Sequence, residues 1–145
     1  MVPTLVGRIQ TRVFLLALVG ALVTLAVTPV LPVSGSLADR YRTTFIVLAA
    51  VLVLGIGWEV VYHTLMQWRW EKDWPTLFGL ITLVPEGIVI GLLARDGNLP
   101  GLPGSVPLDA FALHFSLVWL VVWLVANGPM RTTFIRWRFR GGRLI

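Results

Sequence analysis

Residues 13–33 run for 21 positions without a charged side chain, and three further stretches, 43–67, 75–94 and 110–130, are nearly as apolar. At 1.5 Å per residue, about 20 residues cross a hydrocarbon core of ~30 Å. Four such stretches use up most of a 145-residue chain. A soluble domain of ~150 residues buries only about 70% of the surface its unfolded form exposes. With 57% apolar and only 13% charged residues, this chain carries more apolar surface than such a domain can hide. The expected fold class is an all-α integral membrane protein, one domain over 1–145 with four transmembrane helices and a basic tail at 131–145. The rival reading of the first stretch is a secretory signal peptide, with Ser36 and Ala38 as small cleavage-site residues. Its apolar run is longer than the usual 7–15 residues, so a retained span is expected.

Orientation follows from the basic residues. One face receives Arg8, Arg12, Arg69, Lys72, Arg131, Arg136, Arg138, Arg140 and Arg143, and the other Arg40, Arg42 and Arg95. Nine against three predicts both termini in the cytoplasm. Eleven Arg against the single Lys72 fits a GC-rich bacterial genome, so the expected location is a bacterial cytoplasmic membrane, crossed several times.

Between the second and third stretches, residues 67–75 read Gln-Trp-Arg-Trp-Glu-Lys-Asp-Trp-Pro. A turn this short predicts an antiparallel hairpin of helices two and three, with Asp73 capping the third helix and Pro75 in its first turn. Trp68, Trp70, Trp74 and Trp137 are expected as anchors in the headgroup zone. The connector 95–109, dense in Gly and Pro, is expected to contain no helix.

An ionisable group inside a span costs at least ~2.5–3.5 kcal/mol on insertion scales, so each needs a reason. Glu59, His63 and Gln67 stand at i, i+4 and i+8 and are expected to form one polar stripe facing a partner, the bundle or a small cavity. Pro85-Glu86-Gly87 predicts a kink in helix three beside a buried carboxyl. With helix centres placed near Leu54, Val84 and Val118, Glu86 and His114 fall at similar depths. Glu86 is expected to be neutral and bonded to His114 or to a carbonyl freed at Pro85, so that Glu86→Gln keeps the fold and Glu86→Leu costs ~1–3 kcal/mol. His63 and His114 differ by roughly 19 Å in depth, which disfavours a shared haem. Glu59-x-x-x-His63 lacks the Glu-x-x-His spacing of bundle carboxylate metal sites. With no Cys in the chain, no metal or cofactor is expected.

No serine elbow, phosphate loop or HExxH motif is present, so an enzyme is the least expected class. The tail interleaves Arg131, Arg136, Arg138, Arg140 and Arg143 with Phe134, Ile135, Trp137 and Phe139. That pattern predicts contact with anionic lipid or docking on a partner, and not nucleic acid, because the segment is tethered to a span. The leading functional expectation is a non-catalytic accessory subunit of a larger membrane complex, respiratory, photosynthetic or transport. The alternative is a small oligomeric proton- or ion-linked transporter or channel using Glu86 and Glu59 with His63.

Overall fold

The computed structural model describes residues 3–69 and 76–145, so the 70–75 part of the predicted hairpin turn, with Trp70, Trp74, Asp73 and Pro75, lies outside the described residues. Among those described the regular structure is helical, without strands. Four helical stretches are long and apolar enough to cross a membrane: Leu5–Val30, Leu37–Gln67, Thr76–Arg95 and Leu108–Thr133.

The first stretch starts eight residues earlier than its charge-free core. Helix α1 (Leu5–Leu15) begins where Thr4 Oγ1 accepts from the Gly7 amide at 3.1 Å, which satisfies one of the amides a helix start leaves open. Arg8 and Arg12 therefore lie within the helix and not before it. A π-helical turn over Leu16–Gly20 leads into α2 (Ala21–Val27) and a closing 3-10 turn at Thr28–Val30. The second stretch is one helix, α3 (Leu37–Gln67), six residues longer at its start than its apolar run. Ser36 sets that start through a capping box, since its hydroxyl takes the Asp39 amide while the Asp39 carboxylate takes the Ser36 amide, both at 3.2 Å.

The third stretch is divided at Thr82 into α4 (Thr76–Ile81) and α5 (Leu83–Arg95). Pro85 has no N–H to offer the Ile81 carbonyl, so the regular ladder lapses just before it. Gly87 acts here through its size. A Cβ on it would meet the Phe115 ring at 2.9 Å, and one on Gly91 the Phe111 ring at 2.8 Å. The missing side chains let α5 lie close against α6 (Leu108–Asn127). The connector 95–109 contains no helix before α6, turns through positive φ at Gly97 and Gly101, and buries Leu99 and Val106. With Val47, Leu48, Val51, Ile90, Phe111, Phe115 and Val118 they form a tight core in the connector half of the bundle.

At the other end the two chain termini meet. Beyond α6, two short helices, α7 (Pro129–Thr133) and α8 (Ile135–Phe139), carry the basic tail. The tail returns to α1: the Thr4 amide donates to the Gly141 carbonyl at 2.9 Å, Thr11 Oγ1 to the Gly142 carbonyl at 3.0 Å, and the Trp137 indole to Thr11 Oγ1 at 2.7 Å. Gly7 is buried against the Gly141 and Gly142 backbone, where any side chain would collide.

Candidate functional site

Glu86 is fully buried, and its partner is Arg12. Nη2 of Arg12 donates to Glu86 Oε1 at 2.7 Å and Nη1 to Oε2 at 2.8 Å, an end-on fork in which both carboxylate oxygens are taken. The third nitrogen of the same guanidinium, Nε, donates to Glu59 Oε1 at 3.0 Å. The other oxygen of Glu59 accepts from Arg8 Nε at 2.7 Å. Two arginines from α1 thus enclose one carboxylate from α3 and one from α5. The Trp119 ring lies 5.4 Å from the Arg12 guanidinium carbon, adding a cation–π contact from α6.

The geometry depends on a missing side chain. Gly55 sits one helical turn before Glu59 on the same face of α3, and a Cβ there would coincide with Nη1 of Arg12. Arg12 reaches the core only because that position is glycine. Nη1 also lies 3.4 Å from the Val51 carbonyl, a turn further along.

This arrangement corrects the expected partners of Glu86. His114 is buried at a comparable level but faces the first span, with Nε2 2.9 Å from Thr24 Oγ1. Thr28 Oγ1 continues that polar path, donating to the Thr24 carbonyl at 2.6 Å and lying 2.8 Å from Thr44 Oγ1. Nor do Glu59, His63 and Gln67 share one environment. Glu59 is buried against the arginines, His63 is half-buried with Gln67 Nε2 3.3 Å from its Nε2, and Gln67 is exposed. Among the described residues no group of three His, Asp or Glu is placed to hold a metal ion.

The tail arginines Arg131, Arg136, Arg138, Arg140 and Arg143 are all exposed. Arg131 Nη2 bonds Asn127 Oδ1 at 2.9 Å, Arg138 lies over the Phe139 ring at 5.9 Å, and Arg143 Nε donates to Thr4 Oγ1 at 3.4 Å. Trp68 is exposed, whereas Trp137 is half-buried on α1. Two tryptophans of α6, Trp119 and Trp123, donate to the Gly79 and Thr76 carbonyls at 3.1 Å and fasten α4 to α6.

Between α1, the end of α3, α4 and the end of α6 the bundle opens into a groove of about 500 Å³. Arg8, Arg12 and Glu59 stand at its polar side, and Leu65, Ile81 and Trp123 are among its apolar walls. The chain matches no protein family, and no curated protein or solved structure is similar to it.

Two outcomes follow from the charge cluster. Removing one member of a buried ion pair strands the other at about 3–5 kcal/mol, while replacing both by apolar residues is often neutral. Arg12→Met and Glu86→Leu should therefore each lower thermal stability in detergent more than the double variant does. Glu86→Gln should also destabilise, because an amide has one acceptor oxygen for the two N–H groups of Arg12, contrary to the tolerance expected with a His114 partner. Gly55→Ala should be destabilising by displacing Arg12. Gly57→Ala, with open space around its Cβ, should be neutral or gain up to ~1 kcal/mol from helix propensity. Equal melting temperatures for these two alanine variants would exclude the notch.

Proposed function

We propose that the chain is a non-catalytic subunit of a larger membrane assembly, held in a bacterial cytoplasmic membrane with both ends inside. The observation that carries this reading is the mutual saturation of the buried charges. All three Arg12 nitrogens are taken by Glu59 and Glu86, and the remaining Glu59 oxygen accepts from Arg8 Nε, so the cluster fixes helix register and leaves neither carboxylate free for a reactant. Large apolar side chains such as Leu22, Val53, Ile88 and Leu124 remain on the outside, available to neighbouring helices. With Arg8 and Arg12 turned inward, the remaining basic residues still divide seven to three in favour of the side bearing the tail. On this reading the exposed tail arginines meet anionic headgroups or an acidic partner surface.

A second reading, ion-linked transport by an oligomer, is supported by the asymmetry of the bundle: one half is tightly packed, while the other opens as a groove down to Glu59 and Arg12.

Sizing the protein after mild solubilisation of native membranes tests the first reading. Co-migration with other polypeptides, well above the 16.1 kDa of the chain, is expected. Migration only as a monomer or a pure homo-oligomer would overturn it. For the second reading, proton or cation flux into liposomes should appear with the wild type and fall with Glu86→Gln; no wild-type flux removes it.

A further inference from the structure

The groove has one donor group that the chain itself does not use. The Arg8 side chain carries five N–H donors, and its only hydrogen bond among the described residues is from Nε to Glu59. Its side chain is 18% exposed, against 8% for Arg12, and it lines the groove. Nη1 and Nη2 of Arg8 therefore have no acceptor among the described residues, at the polar side of the groove. The remainder of the lining is mainly hydrocarbon and aromatic, including Leu15, Leu65, Phe78, Ile81, Val122 and Trp123. At about 500 Å³ the space falls within the ~300–1,000 Å³ of ordinary small-molecule sites, enough for one acyl chain but not for a whole phospholipid.

Charge selects among such ligands. Arg8, Arg12, Glu59 and Glu86 sum to zero, so the cluster neither adds nor removes charge at the groove. The excess comes from the tail, whose Arg143 is bonded to Thr4 at the same end of the bundle and whose other arginines form no ion pair among the described residues. A small soluble anion would satisfy Arg8 but leave the apolar walls bare. A zwitterionic headgroup would bring an ammonium group towards the tail arginines.

We propose that the groove is a binding site for one anionic phospholipid, with its phosphate on Nη1 and Nη2 of Arg8 and one acyl chain along the apolar walls towards Trp119. This site is separate from the surface of the tail and independent of the subunit reading, since it needs only the isolated chain.

The test is native mass spectrometry of the full-length protein, delipidated in mild detergent and titrated with phosphatidylglycerol or phosphatidylcholine at equal concentration. One phosphatidylglycerol per chain should be retained under activation that strips phosphatidylcholine, and excess inorganic phosphate should not displace it. Arg8→Gln should weaken retention by about tenfold or more, as expected for losing a charged hydrogen-bond donor. Arg138→Gln, on the exposed tail and away from the groove, should leave it unchanged. Ala126→Trp fills the groove without touching a charged residue and should abolish selective retention; Val122→Phe replaces it if the first variant does not fold. Equal retention of the two lipids, displacement by phosphate, undiminished binding in the folded groove-filled variant, or equal losses from Arg8→Gln and Arg138→Gln would each overturn the proposal.

Discussion

One guanidinium holds the bundle together. Arg12 leaves the first span and reaches a carboxylate on each of the second and third, while the aromatic face of Trp119 on the fourth closes over it. In a low-dielectric interior each of these charges alone would be costly, and the cost is offset only while all are in contact. The arrangement therefore sets register as well as contact. Sliding α1 by one turn would carry Arg12 past the Gly55 notch and away from both carboxylates. The sequence separations of 47 and 74 residues mean that this one side chain connects segments that no local rule of helix pairing would bring together.

The halves of the bundle on either side of this cluster are built differently. Towards the connector, the small residues Gly87 and Gly91 admit the Phe115 and Phe111 rings, and packing is close. Towards the chain ends, α4 is held to α6 through indole N–H groups bonded to backbone carbonyls, and a groove remains beside it. The tail fills part of that end by bonding to α1, so its arginines are displayed from a fixed base and not from a free peptide.

The four membrane-length helices were legible in the sequence because apolar length is a strong and local signal. The helix starts were less so. Arg8 and Arg12 end the charge-free run but not the helix, which starts at Leu5, because a charge paired with a carboxylate on a neighbouring helix need not stand outside the bundle. A usable signal was present: two arginines at i and i+4, matched in number by the two carboxylates within the other spans. Depth arithmetic placed Glu86 and His114 at similar levels, but depth says nothing about which way a side chain points around its helix. His114 faces Thr24 and Glu86 faces Arg12. The Glu59, His63 and Gln67 stripe passes through different surroundings for a related reason, since each step of four residues turns about 40° in a helix with 3.6 residues per turn. Over two steps the stripe rotates from the buried interface to the surface. The role of Gly55 was not legible at all, because an in-helix glycine is informative only once the residue occupying its space is known.

The position of Arg12 also has a consequence for biosynthesis. The chain emerges from the ribosome with its first span ahead of everything that span binds. Glu59 follows 47 residues after Arg12, and Glu86 27 residues later still. Until then neither cation of the first helix has its carboxylate, and an unpaired arginine costs up to ~2.5–3.5 kcal/mol on insertion scales when carried to the membrane centre. Burying these side chains therefore gains nothing until the second and third helices supply their carboxylates. Burial of Arg12 and tertiary folding are thus coupled, and the coupling is complete only when the third helix delivers its carboxylate.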